Sequence, residues 1–317
     1  MTNVGSELLQ VSALAVSFRK GGEWRNVVRD VNFSVSAGET VAIVGESGSG
    51  KSVTSLALTR LLPQDMTKVS GRALFRGQNL FDLTEQQMEK IRGDRISMIF
   101  QEPMTSLNPV MTIGAQIAEA IRVHRKVSRA EARAEALAMM DRVRIPSAKS
   151  RFDEFPHQFS GGMRQRVMIA AALVCKPDLL IADEPTTALD VTIQAQVIEL
   201  IKELQAETGM GVIFITHDMG VVAEVADRTL VMYQGDVIET GTTAQIFNGP
   251  AKTYTRALLA AVPKLGSMND AAAPVPYPTF NLTTGEMTPP QDRPDTLRPE
   301  EPPLLEVEGV IKRFDQR

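Results

Sequence analysis

The sequence predicts an α/β fold, because short apolar segments rich in β-branched residues alternate with segments of helical periodicity. Three such apolar segments, residues 40–44, 179–182 and 212–215, have the length and composition of buried strands. The first is followed by a glycine-rich turn and a helical pattern over residues 52–62, and an amphipathic helix is predicted over 186–205. Polar residues follow each strand. Because ligands of open α/β sheets bind at the carboxyl ends of the strands, we expect a binding site there.

The middle of the chain has a different pattern, in which two helices follow one another without an intervening strand. The periodicity predicts helices over residues 112–125 and 128–143. Ser128 and Glu131 have the spacing of a capping box at the start of the second helix. We interpret this region, about residues 102–165, as a helical insertion in the α/β body.

Composition is that of an ordinary globular chain. Of 317 residues, 43% are hydrophobic and 23% are charged, close to the usual averages. The longest apolar run, residues 167–175, is shorter than the roughly 18–20 residues that span a bilayer. The single cysteine, Cys175, excludes an internal disulfide and a multi-cysteine metal cluster. A net charge of −4 gives no general reason to bind nucleic acid.

Proline marks the end of the body. Ten of the 18 prolines fall in residues 263–303, a density that cannot sustain a helix or a central strand. We therefore expect a body over residues 1–262, an extended linker over 263–303 and a short segment over 304–317. Leu, Leu, Val and Phe recur at matching places in residues 8–18 and 304–314, both strand-like. The match could be chance, but we interpret it as the start of a second copy of the body in a longer tandem protein.

The strongest chemical signal is a glycine-rich loop between the first predicted strand and its helix. It is formed by eight consecutive residues: Gly45, Glu46, Ser47, Gly48, Ser49, Gly50, Lys51 and Ser52. They match the phosphate-loop pattern G-x-x-x-x-G-K-[ST] at every defined position. Such a loop points backbone amides at a phosphate, and the following helix adds its dipole. Lys51 is expected to reach the β- and γ-phosphates and the Ser52 hydroxyl to bind Mg²⁺; an incidental glycine turn is the alternative.

The other two predicted strands end in residues that suit phosphate chemistry. Asp183 and Glu184 follow one strand, where one carboxylate can hold Mg²⁺ and the other can orient or deprotonate a water molecule. His217 follows the other strand and could hydrogen-bond a γ-phosphate. Taken alone, the acidic pair could cap a helix before Pro185, and a single histidine is more often structural. The phosphate loop favours the functional interpretation.

A second anion-binding device is predicted at Ser160, Gly161 and Gly162. Ser160 is expected to cap a helix whose first residues are glycines, which leaves the first amides open to an anion. Nothing requires this device to bind the same nucleotide as the phosphate loop of the same chain.

The order of these motifs resembles that of the ATP-binding subunits of ABC transporters. The phosphate loop, Gln101, the Ser-Gly-Gly signature, Asp183-Glu184, Ala188-Leu189-Asp190 and His217 follow the family's order within residues 8–262. The resemblance implies an ABC-type P-loop NTPase core with a mixed sheet, an antiparallel β N-terminal part and an inserted α-helical subdomain. It also implies an ATPase with ATP and Mg²⁺ as its ligands.

The resemblance implies roles for single residues in one nucleotide site. Glu184 matches the family's general base and His217 its switch histidine. Gln101 would sense the γ-phosphate and the metal, and Asp183 would join Ser52 in holding that metal. Phe18 matches an aromatic residue that stacks on adenine, although a core phenylalanine is the alternative.

The resemblance also implies a dimer. Ser160, Gly161 and Gly162 would contact ATP held by a second cassette in a head-to-tail arrangement, and Asp190 would lie at that interface. Met163 departs from the glutamine that many members carry there. Because backbone amides do most of the binding, we expect little loss.

Residues 101–109 and 254–263 are similar to the peptide and nickel importer branch of the family. The proline linker, and the absence of a cysteine-rich segment, resemble the fused double-cassette members that import glutathione and short peptides. This implies two transmembrane permease subunits as partners, a second cassette (fused or in a homodimer), and indirectly a periplasmic or extracellular substrate-binding protein. The expected location is peripheral, on the cytoplasmic face of the bacterial inner membrane, with no nucleic-acid partner.

Two other classes remain open at this point. A soluble tandem ABC ATPase of translation or DNA repair would carry the same core motifs. Such proteins usually have charged linkers and basic surfaces, whereas this chain is acidic with a proline-rich linker. A P-loop kinase or GTPase shares only the phosphate loop and gives no reason for the signature around Ser160–Gly162.

Overall fold

The chain divides into two units, Met1–Val262 and Pro263–Arg317. A computed structural model describes residues 7–102, 106–186 and 190–262 of the first unit, and residues 279–281, 287–288, 302 and 304–313 of the second. The strands of the first unit are β1 (Glu7–Lys20), β2 (Glu23–Ser36), β3 (Thr40–Val44), β4 (Thr67–Phe75), β5 (Gln78–Asn79), β6 (Ile96–Ile99), β7 (Leu179–Asp183), β8 (Gly211–Thr216), β9 (Arg228–Tyr233) and β10 (Asp236–Thr242). Its helices are α1 (Lys51–Leu58), α2 (Glu85–Glu89), α3 (Ile113–His124), α4 (Arg129–Arg142), α5 (Ala148–Arg151), α6 (Gly161–Leu173), α7 (Val191–Thr208), α8 (Met219–Val225), α9 (Thr243–Asn248) and α10 (Thr253–Ala260), with short 3-10 turns at Leu80–Asp82 and Pro156–Gln158.

The central sheet has six strands in the order β10-β9-β3-β8-β7-β6. All neighbours are parallel except β9 and β10, so the predicted mixed sheet is confirmed. Every residue of β3, β7 and β8 is buried, as expected for parallel strands covered on both faces. These three adjacent strands are the three predicted from their apolar runs. Their carboxyl ends therefore lie side by side at one edge of the sheet, which is where the phosphate loop begins.

The N-terminal strands form a separate antiparallel sheet in the order β2-β1-β4-β5, which confirms the antiparallel N-terminal part. The register between β1 and β2 shifts between Val11 and Leu14, where Ala13 has a left-handed φ of 51°. Such a bulge increases the local twist of a strand pair. Leu9, Leu14 and Val16 of β1 are fully buried and belong to the same apolar cluster as Ile43 of β3. This packing places the antiparallel sheet against the strand that leads into the phosphate loop.

Helices α3 and α4 lie between β6 and α6 in the chain and confirm the two helices predicted there. The capping box of α4 is present: the Ser128 hydroxyl accepts from the Glu131 N–H at 3.2 Å, and the Glu131 carboxylate accepts from the Ser128 N–H at 2.7 Å. Ile117, Ile121 and Met140 are fully buried and pack in one cluster with residues of α6. The helices are thereby attached to the helix that carries the Ser-Gly-Gly signature.

Two predicted helix boundaries are wrong for local reasons. The helix after the phosphate loop ends at Leu58 rather than at residue 62, because the chain turns at Arg60, whose φ is 53°. The helix predicted from residue 186 begins at Val191, because Asp190 caps it by accepting from the Ile193 N–H at 3.0 Å. Ala188 and Leu189 of the family pattern, and residues 103–105 of the importer-branch pattern, lie outside the described residues.

In the second unit, the structure describes a two-stranded antiparallel ladder of β11 (Thr279–Phe280) and β12 (Met287–Thr288). Residues 304–313 were expected to be strand-like, and this expectation is wrong: they form no strand, and Leu304 and Ile311 are 105% and 79% exposed. The similar segment at the start of the chain, β1, is hydrogen-bonded to β2 on one side and β4 on the other. An apolar strand needs such ladder partners to form, and the ladder described in the second unit, β11 with β12, does not include residues 304–313. Phe314, the last matching residue of that pattern, lies outside the described residues.

Candidate functional site

The phosphate loop adopts backbone conformations that require glycine at two positions. Gly45 has a φ of 149°, and a Cβ atom there would lie 2.1 Å from the carbonyl oxygen of Met232 in β9. Gly50 has a φ of 103° and would place a Cβ atom 3.1 Å from the Val28 side chain of β2. Any other residue would combine backbone strain with a clash at Gly45 and with a tight contact at Gly50. The glycines therefore let the loop lie directly on β9 and β2.

Lys51 is buried behind this loop, with 5% of its surface exposed. Its ammonium group donates to the carbonyl oxygens of Gly45 and Glu46 at 2.7 and 2.9 Å. Burial lowers the pKa of Lys51, and the nearby carboxylates of Glu184 and Asp183 oppose that shift. The charge is thus held at the base of the loop, close to where phosphates would bind.

Ser52 and Asp183 meet across 131 residues of sequence. The Ser52 hydroxyl donates to the Asp183 carboxylate at 3.0 Å. Asp183 is 4% exposed, and burial raises its pKa to about 6. A hydroxyl and one carboxylate are the hard oxygen ligands that Mg²⁺ accepts together with phosphate oxygens and water. This pair therefore fits the predicted magnesium site, with Gln101 as the third predicted ligand.

Glu184 is held by the two other predicted catalytic residues. Its carboxylate accepts from the Gln101 side-chain amide at 3.0 Å and lies 3.3 Å from Nδ1 of His217. The Glu184 backbone has a left-handed φ of 47°, and its N–H donates to the Ile215 carbonyl of β8 at 2.9 Å. The strained backbone is fixed by the neighbouring strand, as is typical of functional sites. The carboxylate is thereby aimed at the edge where β7 and β8 end.

A pocket of about 160 Å³ opens between these groups. Its lining consists of Val27, Ser47, Gly48, Gly50, Lys51, Ser52, Val53, Gln101 and Glu184. The structure thus brings most of the predicted phosphate-loop residues together with Gln101 and Glu184. Gly45, Glu46 and Ser49 form the rest of the loop, while Asp183 and His217 adjoin the pocket through Ser52 and Glu184.

Other predicted residues do not line this pocket. Ser160 caps α6 as expected, accepting from the Met163 N–H at 3.4 Å, and Gly161 faces open space. A Cβ atom on Gly162 would lie 3.0 Å from the Ile193 side chain, close to the helix end that Asp190 caps. These residues form a separate surface at the N-termini of α6 and α7.

Phe18 is also absent from the pocket lining. It lies near the end of β1, opposite Arg25 of β2 and Thr67 of β4. The side chain is partly buried and packs against the apolar cluster beneath the antiparallel sheet. This contact is the one expected of a core phenylalanine, and adenine stacking by Phe18 stays a prediction.

Several contacts between the phosphate loop and distant parts of the chain were not predicted from the sequence. Val27 of β2 lines the pocket. The Gly235 N–H, in the turn between β9 and β10, donates to the Ser49 carbonyl at 2.9 Å. The Tyr254 hydroxyl of α10 accepts from the Glu46 N–H at 3.1 Å. None of these contacts has a local signal in the sequence, because each joins segments that are far apart in the chain.

The buried carboxylate of Asp183 predicts a dependence of stability on pH. The pKa of Asp183 is about 6 in the folded chain, against an ordinary value of 3.8. Above about pH 4 the carboxyl ionises in the unfolded chain but not yet in the folded one, so the folded chain loses stability as the pH rises. This loss of folding free energy is complete above about pH 6 and, from the pKa difference, amounts to about 3 kcal/mol. We therefore expect Asp183→Asn to raise the free energy of unfolding of the Mg²⁺-free chain at pH 7.5 by up to about 3 kcal/mol, and by roughly half of that at pH 5.

Urea unfolding at the two pH values checks this prediction, with Asp236→Asn as the control. Asp236 is an exposed carboxylate whose ion pair with Arg29 lowers its pKa, so its loss should not stabilise the chain. Equal stability of Asp183→Asn and wild type at pH 7.5 would contradict the argument.

The fold and the site together define a P-loop nucleotide-binding protein with an inserted group of helices. A family model described as ABC transporter matches residues 28–187. The chain belongs to the ABC transporter family.

Curated relatives are similar to nearly the whole length of this chain. The chain is 55% identical to the glutathione import ATP-binding protein GsiA of Salmonella choleraesuis strain SC-B67, over 98% of this chain and 51% of that protein. The same identity and coverage hold for GsiA of Escherichia coli strain K12. The chain therefore spans about half the length of the curated relatives it matches.

Solved structures show the same fold. The ATP-binding cassette MJ0796, solved as a dimer in a post-hydrolysis state bound to ADP and Pi, is similar with a TM-score of 0.67 and 28% identity, covering 74% of this chain and 98% of that one. CbiO1 from Clostridium perfringens, part of the ABC transporter complex cbiONQ, is similar with a TM-score of 0.66 and 28% identity, covering 83% of this chain and 99% of that one. The predicted fold class is thereby confirmed.

Proposed function

We propose that this chain is an ATP-hydrolysing, energy-coupling cassette of an importer for peptides. The observation that carries the proposal is the convergence of three strand ends on one pocket. Lys51 and Ser52 begin the helix after β3, Glu184 follows β7, and His217 follows β8. Ser52 contacts Asp183, and the next residue, Glu184, contacts His217. These residues provide a cation for phosphates, oxygens for Mg²⁺ and a carboxylate for water, which is the set that hydrolysis of a phosphoanhydride needs.

The residues around the pocket have separate roles in the proposed hydrolysis. The loop amides and Lys51 bind the phosphates, and Ser52, Asp183 and Gln101 hold Mg²⁺, which would neutralise charge on the phosphate oxygens. Glu184 orients a water molecule and accepts its proton as the water oxygen attacks the γ-phosphorus, and ADP leaves with the electrons of the broken P–O bond. His217, 3.3 Å from Glu184, hydrogen-bonds the γ-phosphate and fixes the carboxylate.

A second cassette completes the site in this proposal. Ser160, Gly161 and Gly162 do not line the pocket of their own chain, and Ser160 and Gly161 are exposed. In a head-to-tail pair they contact the γ-phosphate held by the partner, with Asp190 at the interface. The second cassette is the one fused in the longer protein or a second copy of this chain. The dimeric state of the similar cassette MJ0796 supports this arrangement.

A groove beside Gln101 is the proposed contact for the two transmembrane permease subunits. It has a volume of about 370 Å³ and is lined by Phe100, by residues of β6, α3 and α6, including Met168, and by the segment after Gln101, including Leu107. Because Phe100 directly precedes Gln101 in the chain, a movement of Gln101 toward the γ-phosphate would displace the lining of this groove. No helix in the described ranges is long and apolar enough to span a bilayer. The chain is therefore proposed to bind peripherally at the cytoplasmic face of the inner membrane and to reach a substrate-binding protein only indirectly.

Glutathione or another short peptide is the proposed cargo. The support is that relatives with 55% identity are named glutathione import ATP-binding proteins. That name also favours an importer over a soluble ATPase of translation or DNA repair. Because this chain matches about half of those relatives, the proline-rich residues 263–303 are proposed to link it to a second cassette that begins near residue 304.

Reconstitution with the permease tests the proposal. The 317-residue chain is co-expressed with two transmembrane permease subunits of a peptide importer and isolated in detergent. We expect co-purification, Mg²⁺-dependent ATP hydrolysis, and ATP-driven uptake of labelled glutathione into vesicles that also receive the binding protein. Hydrolysis without permease binding would contradict the importer, and absence of ATP binding would contradict the ATPase itself.

A further inference from the structure

The phosphate loop is held at one point by a tyrosine that lies 208 residues further along the chain. The hydroxyl oxygen of Tyr254, in α10, accepts a hydrogen bond from the backbone N–H of Glu46 at 3.1 Å. We propose that Tyr254 is a positioning residue of the phosphate loop, which fixes the Glu46 peptide and so keeps the loop in its phosphate-binding shape. The inference rests on the proposed function, because it takes the phosphates of ATP as the ligand of this loop.

The other polar group of the Glu46 backbone is used inside the site. The Glu46 carbonyl accepts from the Lys51 ammonium at 2.9 Å and from the Ser49 N–H at 3.2 Å. The Lys51 ammonium has three N–H donors, and two of them bond to the carbonyls of Gly45 and Glu46, so a bound phosphate takes the third or competes for these two. The bond to Tyr254 does not compete with phosphate, because Tyr254 is not among the residues that line the pocket. The bond to Tyr254 therefore holds the loop whichever acceptors the lysine binds.

The ring of Tyr254 is fixed well enough to serve as such a support. Tyr254 is 7% exposed and packs in an apolar cluster with Val44, the last residue of β3, and Val231 of β9. Its ring lies against that of Tyr233, with ring centroids 4.4 Å apart and an interplanar angle of 42°. Val44 immediately precedes Gly45, so the side chain that bonds to the loop belongs to the same cluster as the end of the strand that enters the loop.

The helix that carries Tyr254 is also held in place. The Glu239 carboxylate of β10 accepts from the N–H groups of Ala251 and Lys252 at 2.7 and 3.1 Å, just before α10 begins. Burial raises the pKa of Tyr254 above its usual value near 10, so its hydroxyl is neutral at physiological pH. A neutral, buried hydroxyl on a fixed ring is a suitable acceptor for a single backbone amide.

The test compares Tyr254→Phe with Tyr233→Phe in the full 317-residue chain. Each substitution removes one hydroxyl from the same ring pair and keeps both rings. Tyr233 is the matched control, because its hydroxyl accepts from the Gln234 side chain at 3.1 Å rather than from the loop. Hydrogen–deuterium exchange of peptides covering residues 45–50 is measured without nucleotide, and Mg²⁺–ATP affinity is measured by equilibrium titration. Steady-state kinetics and Tm are recorded for both variants.

In Tyr254→Phe we expect about tenfold faster amide exchange in the loop and about tenfold weaker binding of Mg²⁺–ATP, as for the loss of one partly buried hydrogen bond. KM should rise in the same proportion while kcat stays within about twofold, because the contact supports ground and transition states alike. Tyr233→Phe should match wild type in all of these quantities.

Unchanged exchange and unchanged affinity in Tyr254→Phe would overturn the inference. A lowered Tm with unchanged affinity would also overturn it, since it would show a purely structural tyrosine. If the wild-type chain bound no Mg²⁺–ATP, the proposed function would fall, and the exchange of the loop amides would still decide whether Tyr254 holds the loop.

Discussion

Replacing Glu184 by glutamine should reduce the rate of ATP hydrolysis by about 10²–10⁴-fold, the usual contribution of a general base, while Mg²⁺–ATP remains bound. Glutamine keeps the size of the side chain and can still meet Gln101, 3.0 Å away, but it cannot accept a proton from water. Because the substitution removes an interaction needed only in the transition state, kcat should fall without a comparable rise in KM. Hydrolysis measured by phosphate release, together with nucleotide affinity, checks this.

The same variant should form a more persistent dimer with ATP, because the step that separates the two cassettes no longer occurs. Size-exclusion chromatography with and without Mg²⁺–ATP measures this effect. Glu224→Gln is a suitable control, since Glu224 is an exposed carboxylate of α8 that pairs with Lys202 at 3.0 Å. Hydrolysis by Glu184→Gln at the wild-type rate would rule out Glu184 as the base.

The placement of the candidate site was predictable because its signals are local. Two of the proposed catalytic residues directly follow strands that are recognisable from their own apolar residues, as Glu184 follows β7 and His217 follows β8. Parallel strands that are neighbours in one sheet bring their carboxyl ends together, so strand prediction was sufficient to predict proximity. The 3.0 Å contact of Ser52 with Asp183 is the direct result of that geometry.

The supports of the loop could not be predicted in this way. Tyr254 contacts Glu46, and Gly235 contacts Ser49, through pairings that depend on how α10 and the β9–β10 turn pack behind β3. No periodicity in either segment encodes such a contact. The segment 304–313 shows the converse, since a strand-like apolar pattern gave no strand where the second unit, as far as it is described, forms no ladder with it.

A Lys51→Met variant should lose at least about a hundredfold in affinity for Mg²⁺–ATP, because charge-assisted bonds to phosphate are each worth roughly 1.5–3 kcal/mol. Methionine retains most of the buried stem, so the change removes the ammonium group without leaving a large cavity. Burial already lowers the pKa of Lys51, which means that the charge is kept there at a cost in stability. We therefore expect the Tm without nucleotide to be equal to or higher than that of wild type, even though the bonds to Gly45 and Glu46 are lost.

Titration with a fluorescent ATP analogue and thermal unfolding without nucleotide measure both effects. Lys202→Met is the matched control, because Lys202 is an exposed lysine of α7 paired with Glu224, away from the loop. The two results together identify the role of the lysine. If Lys51→Met binds nucleotide weakly but has the Tm of wild type, Lys51 acts mainly on the ligand, because the loss of its two carbonyl contacts does not lower stability. A weak binder with a strongly reduced Tm would show instead that Lys51 mainly supports the loop, and the affinity loss could not be assigned to contact with phosphate.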